Sequence, residues 1–150
     1  LRINIKGDKA SYGLAHICKL AVEDNRRIYL SGQGADEIIS DYGIDGRKIY
    51  NHSTFGGKFP NDLNTVFPWR CFYKGTQQLY LAKEEYVAGS FGIESRYPFL
   101  DVDLVQEYLN LKCEVKNKTY KSVIHEYLLR NSYPFERNKK IGFNANHNLL

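Results

Sequence analysis

The spacing of hydrophobic residues in the first quarter of the chain changes from the period of a strand to that of a helix and back. Residues 1–5 alternate between apolar and polar side chains, which predicts a strand. Apolar residues then recur at helical spacing and predict a helix over 12–24, capped by Ser11. Ile28–Leu30 predicts a short buried strand that ends in a glycine loop, and a new helix is expected from about Ala35. This αβα order is typical of an α/β fold with a parallel sheet.

The rest of the chain predicts one long loop and three further helices. Residues 43–75 are rich in Gly, Asn and aromatic side chains, which indicates an ordered loop or lid. Helices are predicted over 76–89, from a cap at Asp101 to about residue 110, and over 117–131, where apolar residues share one face. Between the first two we expect a turn-like stretch, which becomes extended immediately before Pro98.

Composition and charge are those of one globular domain, which we assign to residues 1–150. The chain is 43% hydrophobic and 25% charged, with a formal net charge of +4 spread along it, so no nucleic-acid footprint is indicated. Three widely spaced cysteines indicate a reducing, cytoplasmic environment, and no apolar run suits a membrane span. Phe67, Trp69 and Phe72 could stack nucleic-acid bases, but closing a core or covering a site is the favoured interpretation.

The segment LSGQGADEIISDY, residues 30–42, combines a site for negative charge with two negative charges. Gly32 and Gly34 bracket a loop between the predicted strand and helix, where free backbone N–H groups and the helix dipole favour an anion. Asp36 and Glu37 follow at once. One explanation is that they stabilise the dipole of a first helical turn. The other is a Mg²⁺ ion that bridges a carboxylate and a phosphate chain.

Three ordered motifs resemble the synthetase domain of the glutamine-hydrolysing asparagine synthetase family. LSGQGADEIISDY resembles that family's SGxGADExxxGY signature. GIESRYPFLD, residues 92–101, resembles GvExRvPFLD, and RNKKIGF, residues 137–143, resembles RxKxGF. The resemblance implies part of a PP-loop adenine-nucleotide α-hydrolase-like parallel-sheet domain, mostly helical over this stretch. It also implies an ATP- and Mg²⁺-dependent amidotransferase of asparagine biosynthesis, which joins an amine or ammonia to a small-molecule carboxylate through an acyl-adenylate.

The resemblance also implies roles for individual residues. Ser31, Gly32 and Gly34 would bind the nucleotide, and Asp36 would hold the Mg²⁺ that bridges the pyrophosphate. The catalytic candidates are Lys140, Glu94 and Gln33. Lys140 would stabilise charge on the phosphates or the intermediate, Glu94 would orient the attacking amine, and Gln33 would hydrogen-bond the intermediate. From the residues alone, Glu94, Arg96 and Asp101 could instead form an ion-pair network around Pro98. We favour that structural role for Arg96 and Asp101, and both roles stay open for Glu94.

Departures from the family pattern limit what the resemblance implies. Gln33 stands where the asparagine-forming members carry Glu, and Gln cannot take a proton from an attacking ammonium. The family's SGGxDS pyrophosphate loop has no counterpart here, since FGGKF at 55–59 lacks the acidic residue and the serine. Leu1 and the absence of methionine suggest a piece of a longer chain, with a glutaminase domain as the expected N-terminal partner. The alternative is a non-catalytic fragment or scaffold domain that keeps the fold without ATP chemistry.

Overall fold

The structure is a computed structural model that describes residues 5–72, 74–136 and 142–143. Within these residues the chain divides into two compact units. Unit 1 comprises residues 5–31, 78–98 and 142–143, and unit 2 comprises residues 32–72, 74–77 and 99–136. The prediction that residues 1–150 form a single domain stays a prediction.

The described residues contain helices, short strands and two 3₁₀ turns. The helices are α1 Lys9–Glu23, α2 Thr76–Ser90, α3 Val102–Asn110, α4 Cys113–Lys116 and α5 Ser122–Arg130. The strands are β1 Ile28–Leu30, β2 Gly43–Ile44, β3 Arg47–Lys48 and β4 Glu94–Arg96, and the 3₁₀ turns are Leu63–Thr65 and Pro98–Leu100. Among the described residues, none of the helices combines the length and apolar character that a bilayer crossing requires.

Unit 1 is built from α1, most of α2 and a two-stranded parallel sheet. β1 pairs with β4, with Leu30 opposite Arg96. The predicted strand at 28–30 is therefore confirmed, as is the α/β class. Its predicted burial is wrong at both ends, because Ile28 is 51% and Leu30 is 66% exposed. The second strand, Glu94–Arg96, lies where a turn was predicted. Its residues show no apolar alternation, so the sequence pattern did not predict a strand there.

The first helix of unit 1 starts three residues earlier than predicted. Asp8, not Ser11, is its N-cap, because the Asp8 carboxylate accepts the N–H of Ala10 at 3.1 Å. Ser11 instead lies inside the helix and donates its hydroxyl to Asp8 at 3.2 Å. The helix packs its apolar face into a small aliphatic core whose buried members are Leu14, Cys18, Val87, Ala88 and Ile93.

Unit 2 consists mainly of loops that pack around an aromatic core. Its buried members are Ile38, Ile39, Phe59, Trp69, Cys71 and Tyr108. Trp69 is only 1% exposed, so the prediction that the 67–75 segment closes a core is confirmed for this residue. Within the predicted loop 43–75, β2 and β3 form a two-residue antiparallel hairpin. The helix expected from Ala35 is wrong, because residues 33–39 form consecutive turns.

The later helices follow the sequence prediction closely, with one change. α2 confirms the helix predicted over 76–89, and Asp101 caps α3 by accepting the N–H groups of Asp103 and Leu104, each at 3.1 Å. The helix predicted over 117–131 begins only at Ser122, because Lys121 has φ of 49°, a left-handed conformation that a helix cannot include. The predicted alternation at residues 1–4 lies outside the described residues.

Candidate functional site

Ser31, the first residue of the SGQGADE signature, is held at the end of β1 in unit 1. Its backbone N–H donates to the Arg96 carbonyl at 2.9 Å, which continues the parallel ladder by one residue. Its hydroxyl donates to Glu84 Oε2 at 2.6 Å, and the residue is 4% exposed. A serine hydroxyl keeps two lone pairs after donating its proton. The structure therefore fixes Ser31 as an oriented hydroxyl supported by a carboxylate from α2.

The Glu84 carboxylate makes this corner of unit 1 electrostatically negative. Burial and then the Glu84 charge raise the pKa of the Tyr29 phenol, which keeps that side chain protonated. The same two causes raise the pKa of the Cys18 thiol. Both causes favour the protonated thiol, which is a weaker nucleophile than a thiolate.

Gly34 is favoured in unit 2 by a left-handed backbone and by a close neighbour. Its φ is 97°, and a Cβ at this position would lie 2.5 Å from Leu100 Cδ2. Its N–H donates to Glu37 Oε2 at 2.9 Å. Two features of the anion site expected from the glycine loop are therefore missing. The Gly34 N–H is not free to bind an anion, because it already donates to a carboxylate, and the helix whose dipole would favour an anion is not formed.

Glu37, read from sequence as one of a carboxylate pair facing the anion, is a buried structural residue. It is 1% exposed, and besides the Gly34 N–H it accepts a hydrogen bond from the Tyr42 hydroxyl. The Trp69 indole donates to its backbone carbonyl at 2.7 Å. Its side chain holds the signature loop in shape, so the two adjacent carboxylates have different roles.

Asp36 is the accessible member of that pair. Its Oδ1 lies 3.0 Å from Lys121 Nζ and accepts a hydrogen bond from the Tyr120 hydroxyl at 3.1 Å. The Ser40 hydroxyl lies 3.3 Å from the same oxygen. Burial and then the Asp36 charge raise the pKa of Tyr120, so its phenol remains a donor at neutral pH. The Asp36 side chain keeps 31% of its surface exposed.

The predicted Mg²⁺ site has a single carboxylate ligand, that of Asp36. Among the residues that the structure describes, no group of three or more His, Cys, Asp or Glu side chains could hold a metal ion. Mg²⁺ does not need such a group, because it is usually held by one or two carboxylates together with phosphate oxygens and water. Asp36 fits that limited donor set, although its present partner is the Lys121 ammonium.

Gln33 contacts a second glutamine. The Gln77 side chain donates from Nε2 to Gln33 Oε1 at 3.5 Å, and Gln77 is 5% exposed. The Gln77 Oε1 atom is buried and has no hydrogen-bond partner in the described part of the chain. An amide pair of this kind can position a polar group, but it cannot accept a proton as Glu would.

Neither of the two remaining predicted residues belongs to the described part of unit 2. Glu94 lies on β4 in unit 1 and pairs with Arg96 at 2.7 Å, with both side chains more than half exposed. One part of the predicted ion-pair network is thus confirmed, whereas Asp101 caps α3 instead. Lys140 lies outside the described residues. Unit 1 therefore holds Ser31 and Glu94, and unit 2 holds Gly32, Gln33, Gly34 and Asp36.

Two functional contacts of Asp36 carried no signal in the sequence pattern. Tyr120 and Lys121 lie more than 80 residues further along the chain, and the sequence places them in the first turn of a predicted helix. The one available signal is local. A lysine next to a tyrosine near the start of an amphipathic helix is a common surface pattern, so it would not have singled these residues out.

Similarity to a known protein covers part of this chain. Residues over a 98-residue stretch are 32% identical to a protein of Methanocaldococcus jannaschii described as "Putative asparagine synthetase (glutamine-hydrolyzing) 1". The match covers 65% of this chain and only 17% of that relative, so the chain spans about a sixth of the relative's length. No family model matches the chain, and no solved structure matches it. The chain is thus distantly similar to an asparagine synthetase over about two thirds of its length.

Proposed function

We propose that this chain is part of an ATP-dependent amide-forming ligase that activates a substrate carboxylate as an acyl-adenylate. The observation that carries the proposal is the similarity to a protein described as a glutamine-hydrolysing asparagine synthetase, together with three motifs in that family's order. The matching relative is much longer than this chain, so the complete reaction belongs to the longer protein. The fold we propose for that protein is a PP-loop adenine-nucleotide α-hydrolase-like domain.

The proposed cofactors are ATP and Mg²⁺, and the chain supplies a limited set of ligands for them. Asp36 would hold Mg²⁺, which neutralises charge on the pyrophosphate as it leaves. Ser31, Gly32 and Gly34 would contact the nucleotide, with the Ser31 hydroxyl oriented by Glu84. Lys121, which now neutralises Asp36, would have to release its carboxylate when the metal binds.

The reaction itself would use three side chains, of which two are described. Lys140 would stabilise negative charge on the phosphates or on the tetrahedral intermediate, as a compact cation can. Glu94 would orient the attacking amine, and its exposure on β4 leaves the carboxylate accessible. Gln33 would hydrogen-bond the intermediate without taking a proton, so a general base for an ammonium must come from elsewhere.

The proposed partners follow from the chemistry of the reaction. They are a small-molecule carboxylate, an amine or ammonia donor, and an N-terminal glutaminase domain that releases ammonia, with neither nucleic acid nor membrane involved. We place the protein in the cytoplasm. Because Gln33 replaces the family's Glu, we propose an asparagine synthetase-like ligase and leave the carboxylate and the amine unassigned.

A product assay on the complete protein that contains this chain tests the proposal. With Mg²⁺-ATP and a panel of carboxylates and amines, we expect release of AMP and pyrophosphate. Release of ADP and phosphate would contradict an acyl-adenylate. Asp36→Asn should lower kcat at least about 100-fold, because a metal contributes several kcal/mol of charge stabilisation. Asp103→Asn, which alters an exposed carboxylate of the same unit on α3, is the matched control and should leave kcat within about twofold.

A non-catalytic binding or scaffold domain is the second candidate, and one observation favours it. Two of the residues expected at the nucleotide and its metal already have internal partners, Gly34 with Glu37 and Asp36 with Lys121. Calorimetric titration of the complete protein with Mg²⁺-ATP separates the two candidates. Saturable heat that disappears in Asp36→Asn supports the ligase, whereas no binding heat in the native protein supports the scaffold.

A further inference from the structure

A pocket in unit 2 is lined by three lysines that belong to none of the three motifs, although Ile39 and Ser40 of the signature segment also line it. Its volume is about 160 Å³, and it lies between the β2–β3 hairpin and the segment that precedes α5. Lys58, Lys116 and Lys121 line it together with one carboxylate, that of Asp45. The wall thus carries a surplus of two positive charges.

Lys116 is the least expected of these residues, because it is a buried cation. It is 4% exposed, its ammonium donates to the Leu109 carbonyl at 2.9 Å, and it lies over the rings of Phe59 and Tyr108 at 5.6 and 5.5 Å. No carboxylate of the described residues forms an ion pair with it. Burial lowers the pKa of this amine. A buried charge without a counter-charge is costly, and an anion in the pocket would reduce that cost.

The glycine segment FGGKF, set aside as a pyrophosphate loop because it lacks an acidic residue, places a second lysine at the pocket. Gly57 has φ of 76°, and a Cβ there would lie 2.5 Å from the carbonyl oxygens of Ser40 and Gly43. The two backbone segments therefore touch without side chains between them. This contact sets Lys58, an exposed residue, on the pocket wall.

Lys121 joins the pocket to Asp36. It lines the pocket, and its ammonium pairs with the Asp36 carboxylate at 3.0 Å. Tyr120, also in the wall, donates to that same carboxylate. A change in the charge of Asp36 therefore changes how much positive charge Lys121 can offer to the pocket.

We propose that this lysine pocket binds a small oxyanion, the phosphate or carboxylate group of a metabolite. Lysine suits phosphate as a compact point charge, and a wall with three lysine residues and one carboxylate favours an anion over a neutral ligand. Pockets for drug-sized ligands measure about 300–1,000 Å³, so this one suits an ionic group and not a nucleotide. The proposal does not depend on the ligase activity proposed above.

Titration of the ¹⁵N-labelled 150-residue chain with inorganic phosphate, without ATP or Mg²⁺, tests the proposal by NMR. We expect saturable shifts at the amides of Gly57, Lys58 and Thr119–Lys121, and none with chloride at the same ionic strength. A parallel titration with acetate distinguishes phosphate from carboxylate as the source of the anion. Shifts that fail to saturate with both anions, or that chloride reproduces, would overturn the proposal.

Lysine variants locate the binding site. Lys116→Met should weaken phosphate binding about threefold or more, because it removes a buried positive charge next to the pocket. Lys58→Gln, which removes an exposed charge and keeps the fold, should weaken it about threefold. Lys118→Gln is the matched control, because Lys118 lies in the same segment, pairs with Glu126 and is not a wall residue. Equal losses in Lys118→Gln and Lys58→Gln would show only diffuse surface attraction and overturn the site.

Asp36→Asn separates this proposal from the ligase. It should tighten phosphate binding about threefold, because it frees Lys121, and it should abolish Mg²⁺-dependent ATP turnover in the complete protein. Weaker phosphate binding in Asp36→Asn, with the far-UV circular dichroism unchanged, would contradict the role given to Lys121. Loss of turnover alone bears only on the ligase.

Discussion

The two units of the molecule satisfy their backbone groups by different means. In unit 1, helices and the β1–β4 ladder pair main-chain groups with one another around an aliphatic core. In unit 2, side chains do much of this work for the loops. Asp41, which is fully buried, accepts the Ser53 hydroxyl and the N–H groups of Thr54 and Phe55 on a single oxygen, at 2.9, 2.8 and 2.7 Å.

Asn117 repeats this device in unit 2. Its side-chain oxygen accepts the Phe59 N–H and its NH₂ group donates to the Phe59 carbonyl, both at 2.8 Å, in the manner of a neighbouring strand. Buried backbone groups must be paired somewhere, and where regular structure is short a buried polar side chain is the alternative. The loops of unit 2 therefore depend on single polar side chains for their backbone hydrogen bonds, whereas in unit 1 the helices and the β1–β4 ladder supply them.

Asp41→Ala should have the largest effect on stability. It leaves the partly buried N–H groups of Thr54 and Phe55, and the buried Ser53 hydroxyl and Cys71 thiol, without their acceptor, which we expect to lower the free energy of unfolding by about 3–6 kcal/mol. Urea denaturation followed by circular dichroism measures the loss, and hydrogen exchange at Thr54 and Phe55 shows whether their protection disappears. Asp41→Asn, which keeps one acceptor oxygen, should lose less. Equal denaturation midpoints for Asp41→Ala and the native chain would contradict the role of Asp41 in stabilising the loops of unit 2.

Leu14→Ala should have the next largest effect on stability, and it tests the contribution of apolar packing in unit 1. Leu14 is 5% exposed in the aliphatic core, so its truncation should lower the free energy of unfolding by about 2–4 kcal/mol. Leu20→Ala, on the same helix but 48% exposed, is the control and should cost well under about 1 kcal/mol. Similar losses in the two variants, measured by urea denaturation, would show that burial does not set the stability of this unit.

The same contrast explains which parts of the fold could be predicted from sequence. The helix at 76–90 and the Asp101 cap have local signals, namely a run of helix-forming residues in TQQLYLAKEEYVAG and a capping aspartate, and both are confirmed. The turns after Gly32 have no such signal. SGQGADE is compatible with the start of a helix, and the buried Glu37 carboxylate that fixes the turn is recognisable only when its partners Gly34 and Tyr42 are known.

The candidate site was predictable only in part, for a related reason. The motif letters select Asp36 from one chain segment, but its cation and phenol partners come from a segment more than 80 residues away. Likewise, nothing local marks Lys116 as buried, since a lysine in a short helix is ordinarily exposed. Long-range contacts decided both features, and sequence periodicity does not report such contacts.

The smallest expected effect is a pH dependence of unit 1 at the ion pair between Asp8 and Lys83. Partial burial would raise the pKa of the Asp8 carboxyl, but the hydrogen bond and the charge of Lys83 outweigh it and hold the pKa below the ordinary value of 3.8. Because the folded-state pKa is the lower one, the pair contributes stability that is fully present above the unfolded-state pKa. That stability is lost as the pH falls through the folded-state pKa.

Lys83→Gln should therefore lower the free energy of unfolding by about 0.5–1 kcal/mol at neutral pH, where the partly exposed pair is intact. The difference from the native chain should shrink below about pH 4 and vanish once Asp8 is protonated in both states. Urea denaturation at a series of pH values measures it, with Lys19→Gln, an exposed lysine of α1, as the control. A difference that stays constant into acid would mean that Lys83 acts through packing of its alkyl chain and not through charge, since protonation of Asp8 removes only the charge.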